Sequence, residues 1–106
     1  MNLLHNLPDR LTAERMDTLL SRPGVRIERI VSTGQASPAG FWYDQDEEEF
    51  VLLLSGAAAM RLEGEAAVRE MRAGDWLTIG AHVRHRVEWT SADSPTVWLT
   101  VFIGGG

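Results

Sequence analysis

The chain has no cysteine, so neither disulfides nor thiolate chemistry are open to it. It has no basic excess either, because ten Lys and Arg stand against fifteen Asp and Glu, a formal charge of −5 at pH 7. That balance argues against a nucleic-acid footprint, which would need a basic patch or stripe. It also argues against docking to an anionic membrane surface. No long apolar run is present: the charge-free stretch from Phe50 to Met60 is too short to span a bilayer and contains Ser55 and Gly56. The N-terminus lacks the basic-then-apolar layout of a secretory signal, so a cytoplasmic protein with no nucleic-acid and no membrane partner is expected. Gly-rich phosphate loops and nucleophile elbows are missing. No serine has a local setting that marks it as activated.

What remains is a chain of 106 residues, long enough for one domain and one core. In a barrel of this size the interior has to serve as both core and site. No internal repeat or linker interrupts it. Turn signals punctuate short apolar segments instead, at Pro23-Gly24, Pro38-Ala39-Gly40, Ser55-Gly56, Glu63-Gly64-Glu65, Ala73-Gly74-Asp75, Gly80 and Ser91 to Pro95. With β-branched and aromatic residues between them, this spacing predicts an all-β sandwich or barrel. Residues 12–21 fit two descriptions: a short helix capped by Thr12, or an edge strand with Met16, Thr18 and Leu20 on one face. The strand is preferred because strands follow. The run Gly104-Gly105-Gly106 is expected to be a frayed tail.

Two segments locate the interior. Arg84-His85-Arg86-Val87-Glu88-Trp89 alternates without a break, which predicts a half-buried strand with His85 on the apolar face. Glu49-Phe50-Val51-Leu52-Leu53-Leu54 is apolar on both faces after Glu49. An antiparallel strand usually leaves one face wet, so the second face needs cover from another sheet, the N-terminal segment or a partner chain. Val97 to Ile103 has the same character, and together the two strands fit a homodimer, though a sandwich could satisfy them alone.

Five of the six residues from 44 to 49 are carboxylates, broken only by Gln45. Such runs are commonly solvated turns, but alternation turns some of them inward. If Val51 and Leu53 share the interior with His85, then Glu49, Glu47 and Gln45 lie on that face too. Crowded carboxylates in a low dielectric raise each other's pKa or recruit a cation. An inward histidine can be a plain hydrogen-bonded core residue or a ligand and catalyst. His82 would face the opposite way from His85 in a continuous strand, so joint action needs a bend. His5 carries no assignment. Trp42, Trp76, Trp89 and Trp98 could line a sugar or aromatic pocket or serve the core.

These residues resemble the cupin superfamily, which is built on jelly-roll barrels. Its first motif ends in a Glu followed six residues later by Gly, matched by Glu49 and Gly56. Its second opens on a Gly and carries a His, matched by Gly74 and His85, with Gly80, His82 and Trp89 in place of the usual Pro, Gly and Asn. The resemblance covers roughly residues 37–103 and points more narrowly to short single-domain bacterial cupins. It implies an antiparallel jelly-roll β-barrel with little helix, one domain over 1–106, a core barrel of about 25–103 and an N-terminal arm of 1–24. The His-x-His of the first motif is replaced by Tyr43-Asp44-Gln45 or Trp42-Tyr43-Asp44, depending on the spacing used. Of the three His and one Glu typical of metal-binding members, only Glu49 and His85 remain.

Gln45, with an oxygen from Tyr43 or Asp44, could complete an oxygen-rich site for a divalent metal such as Mn, Fe, Ni or Zn. Gln45, Glu49 and His85 are therefore the candidate metal ligands, and His85 and Glu49 the candidate catalytic pair. The expected function is binding of a small polar ligand in the barrel, as a metal-dependent enzyme or as a metal-free binding or sensory module. Enzyme and non-enzyme readings both stay open at this point.

Overall fold

The structure, a computed structural model, describes residues 1–104. Eight strands follow one another: β1 (Arg15–Arg22), β2 (Val25–Ser32), β3 (Glu47–Ser55), β4 (Ala57–Leu62), β5 (Arg69–Arg72), β6 (Trp76–Ile79), β7 (His85–Thr90) and β8 (Thr96–Gly104). There is no helix among the described residues. A five-stranded sheet of order β1-β2-β8-β3-β6 faces a three-stranded sheet of order β5-β4-β7, and every pairing is antiparallel. This is the all-β barrel that the turn spacing predicts, with the jelly-roll form that the cupin resemblance implies.

Alternation sorts each strand between inside and outside. Val51 and Leu53 of β3, Met60 of β4, Ile79 of β6 and Trp98 of β8 are buried in one core cluster. Leu53 is wholly inaccessible, a site where truncation to alanine costs ~2–5 kcal/mol. The opposite parity of β2, β3 and β8 forms the outer face of the large sheet, with Ile27, Phe50, Leu52, Leu99 and Val101 only partly covered. Residues 3–11 run beside one end of that face. There Arg29 donates to the Leu3 carbonyl, and Leu11 donates to Thr33 Oγ1 while its carbonyl accepts from Gln35.

Residues 15–22 form a strand, so the helix alternative for this stretch falls. The edge strand differs in one respect from its expected face pattern. Met16 and Thr18 pair in register with Ile30 and Glu28, but a bulge before Leu20 pairs it with Ile27 and moves it to the opposite face. One extra residue inverts everything after it. Of the glycine run expected to fray, Gly104 instead ends β8, paired with Glu47 and donating to the Gly24 carbonyl. Gly105 and Gly106 lie outside the described residues.

Gly56 joins β3 to β4 at φ +90°, where a Cβ would lie 2.5–2.8 Å from Thr96 and Pro95 atoms. Only glycine meets both demands. The turn holds β3 and β4 in opposite sheets, so that β3 and β7 look at one another across the interior.

Candidate functional site

Between the two sheets lies a cavity of about 80 Å³ lined by residues that include Glu14, Tyr43, Gln45, Glu49 and His85. It has room for two or three waters or a small organic group. A second cavity of about 270 Å³ adjoins it, and Glu14, Tyr43 and Val87 line both. The outer cavity is walled by the N-terminal segment and the loop of residues 35–38. Apolar walls with a few convergent polar groups are the usual make-up of a small-molecule site.

His85 opens β7 and is 3% exposed. Its Nδ1 lies 2.8 Å from the Val83 carbonyl. A carbonyl only accepts, so Nδ1 carries the proton and Nε2 is left facing Glu49 Oε1 at 3.4 Å. At 3.4 Å that contact is longer than a well-formed hydrogen bond, and it becomes an ion pair when Nε2 is protonated as well. Burial alone would lower the His85 pKa. The Glu49 carboxylate, the Val83 carbonyl and the more distant Asp44 charge outweigh it, and the net shift is upward. With Nδ1 fixed as a donor, protonation happens at Nε2, the atom that faces Glu49 at the cavity wall.

Glu49 is 7% exposed, and its Oε1 also accepts from the Gln45 side-chain amide at 3.0 Å. Gln45, Glu49 and His85 thus converge on one carboxylate oxygen, which places the three sequence-derived site residues together. Tyr43 lies flat against the imidazole, with centroids 5.4 Å apart and planes 22° apart. The backbones of Tyr43 and His85 exchange both hydrogen bonds, at 2.7 and 3.1 Å. Arg86 fixes the loop leading to Tyr43 by donating to the Ser37, Pro38 and Phe41 carbonyls. Its Nε sits 3.0 Å from Glu88 Oε1 but out of line, and so has no hydrogen bond.

Other candidates fall elsewhere. His82 takes a left-handed conformation, φ 62°, in the turn before β7 and pairs with Asp44 on the exposed rim. The bend between the histidines is present, yet it sends His82 outward. Asp44 goes with it. Glu47 faces inward but is held by both guanidinium nitrogens of Arg26, whose Nε binds Glu28. Trp98 lines the cavity, whereas Trp76 stands outside, 60% exposed and stacked on Phe50.

Sequence reasoning missed Glu14. It precedes Met16 by two residues, so alternation puts it on the same inward face once this stretch is extended. Burial pushes its pKa up, partly offset by the hydrogen bond from Ser32 Oγ at 3.3 Å. Tyr43 is raised as well, by burial first and then by the Glu14 and Glu49 charges. Both carboxylates therefore act on the same phenol.

As a metal site the donor set is poor. Gln45 turns its NH₂ rather than its oxygen toward Glu49. No group of three or more His, Asp or Glu side chains is placed to hold an ion among the described residues. The four-ligand shell of metal-binding cupins does not fit these residues.

Comparison with known proteins agrees with the geometry. Residues 29–102 match the family model described as the cupin domain. A Ralstonia eutropha JMP134 protein of known structure, provisionally named a mannose-6-phosphate isomerase, is 50% identical. The match covers 98% of this chain and 96% of that one, with a TM-score of 0.96. A Thermus thermophilus protein (17% identity, 98% and 95% covered, TM-score 0.79) and a Desulfitobacterium hafniense cupin superfamily protein (15%, 92% and 83%, 0.74) share the fold. No curated protein sequence matches the chain. No helix among the described residues is long and apolar enough to cross a membrane.

Proposed function

The chain belongs to the cupin family, and from that premise we propose that it binds a small polar molecule in the barrel cavity, with Gln45, Glu49 and His85 as its polar contacts. The observation that carries this reading is the buried His85–Glu49 pair at the cavity wall, with its imidazole tautomer set by the Val83 carbonyl. Such a pair can do more than bind. His85 Nε2 can give a proton to the ligand or take one from it while Glu49 stabilises the charged imidazole, as general acid–base catalysis requires. An isomerisation by proton transfer is the enzymatic form of this reading; a sensory or binding module is its form without turnover. The provisional isomerase name of the Ralstonia protein supports the first.

The test is a metabolite screen by thermal shift, followed by assays on hits with the parent, His85→Ala and Glu49→Gln. Saturable stabilisation lost in both variants supports the site, and product formation by the parent separates enzyme from binder. Stabilisation that survives both substitutions removes the site from this position.

A divalent metal (Mn, Fe, Ni or Zn) on Gln45, Glu49 and His85 is the second reading; the three side chains share one wall of the cavity, but Gln45 would have to turn its oxygen in place of its NH₂ toward the ion. Elemental analysis of protein purified without chelator decides it. Stoichiometric metal in the parent but not in Glu49→Ala or His85→Ala establishes the reading. No metal after incubation with all four salts removes it. The half-covered outer face of the large sheet supports the further proposal that the protein acts as a homodimer; the cytoplasm, proposed as its compartment, rests on the sequence reading alone.

A further inference from the structure

We propose that the cavity takes a small organic cation, an ammonium group on an apolar body, in preference to a phosphorylated or carboxylated ligand. This rests on the reading of the barrel as a small-molecule site and adds the class of molecule. Glu14 and Glu49 line the inner cavity, and neither arginine nor lysine does. All ten cationic side chains of the chain other than histidine are arginine. The inward-facing Arg26 lies over the Phe102 ring and is spent on Glu47 and Glu28, an arrangement with one more carboxylate than guanidinium. Glu28 Oε1 is buried there with no hydrogen-bond partner. A phosphate would enter a negative interior with no guanidinium or ammonium to receive it, whereas phosphate sites are built on such groups and on helix N-termini.

The walls agree with the charge. Tyr43, Trp98 and Phe102 line the cavity along with Met16 and Ile30. Aromatic and apolar side chains beside a carboxylate suit an ammonium group on an apolar body. Of the three rings, Tyr43 is stacked on His85 and Phe102 lies under Arg26, which leaves Trp98 without a stacking partner among the described residues. Within the cavity the ammonium belongs at the Glu14 end. His85 offsets Glu49 at the other end, while Glu14 has only the Ser32 hydroxyl. Burial makes an ionised Glu14 costly, and a cation beside it relieves that cost. Glu14 also borders the outer cavity, so the cation sits where the inner chamber meets its larger neighbour.

Four unbranched probes of closely matched length separate the possibilities: n-butylamine, n-butanol, butyrate and n-butyl phosphate, with mannose 6-phosphate as a fifth. Each is titrated at neutral pH with chelator present, by calorimetry and by following the His85 imidazole and Trp98 indole resonances. The expected result is n-butylamine binding at least ~10-fold more tightly than n-butanol, with the two phosphates weakest. Glu14→Gln keeps the side-chain shape and removes the costly charge, so it is expected to fold and to erase most of that preference. An unchanged amine-to-alcohol ratio in Glu14→Gln overturns the inference. So does tighter binding of butanol, butyrate or either phosphate, although shifts of His85 and Trp98 would then uphold the cavity as a site. If no probe moves those resonances, the site itself falls, and the cation preference with it.

Discussion

At the scale of single residues, His85 gives this protein a pH-dependent contribution to stability. Its pKa is raised in the fold because the Glu49 carboxylate and the Val83 carbonyl outweigh burial. The folded state therefore holds the His85 proton more tightly than the unfolded chain does. The stability from this source is fully present below the ordinary value of 6.5 and is lost as pH rises through the higher folded value. Urea unfolding of the parent and His85→Gln across this range is expected to show a difference largest at the acid end and shrinking as the solution becomes alkaline. A difference constant with pH, or growing toward high pH, would contradict the ion pair with Glu49. The same titration would govern turnover, since Nε2 acts as an acid below the raised value and as a base above it.

At the scale of elements, the site depends on a loop that has no secondary structure of its own. Residues 37–41 are tied to β7 by three carbonyls that accept from Arg86, and by the Val87 amide donating to Ser37 Oγ at 3.0 Å. Arg86→Lys keeps the charge but replaces a planar fork by a single ammonium. The expected loss is about 1 kcal/mol for the hydrogen bonds not remade, or ~4–8 °C in Tm for a domain of this size. Amide exchange at Ser37 to Tyr43 should accelerate more than exchange in the core strands. Uniform acceleration over the whole barrel would show instead that Arg86 supports the sheet and not the loop.

This loop also shows where the sequence was legible. Alternation from Arg84 to Val87 and from Glu47 to Leu53 assigns inner and outer faces, because a strand places every second residue on one side; Trp89, expected inside with His85 and Val87, is turned outward and left 39% exposed by a bulge between Val87 and Trp89. His85, Glu49, Gln45 and Val51 reach the cavity by that rule alone. Leu20 escapes it, since a bulge leaves no mark in the hydrophobic pattern. Glu14 escapes it because the stretch before Met16 reads equally as helix. Arg86 reads as a solvent-facing charge between two apolar residues, and nothing in the sequence shows that its guanidinium serves a loop some fifty residues earlier.

At the scale of the whole molecule, the unanswered demand is the outer face of the five-stranded sheet. β3 and β8 are apolar on both sides, and the N-terminal segment covers only one end. Trp76 and Ile103 are left 60% and 48% exposed. Five strands of at most nine residues present a face of no more than roughly 24 by 30 Å, about 700 Å² with the covered end included, below the ~800 Å² per partner of a standard interface. A two-fold dimer needs a self-complementary patch. This one carries charges of both signs, Arg15, Arg22 and Arg29 against Asp17 and Glu48, so a second copy meets no field of one sign despite the net charge of −5. Sedimentation equilibrium is expected to give twice the 11.8 kDa chain mass. Trp76→Glu places a carboxylate in the patch. It removes little packing within one chain beyond the stacking on Phe50, so it should yield a monomer with nearly the parent Tm. A parent that sediments as a monomer at tens of micromolar would rule out this dimer, and the apolar face would then need another occupant.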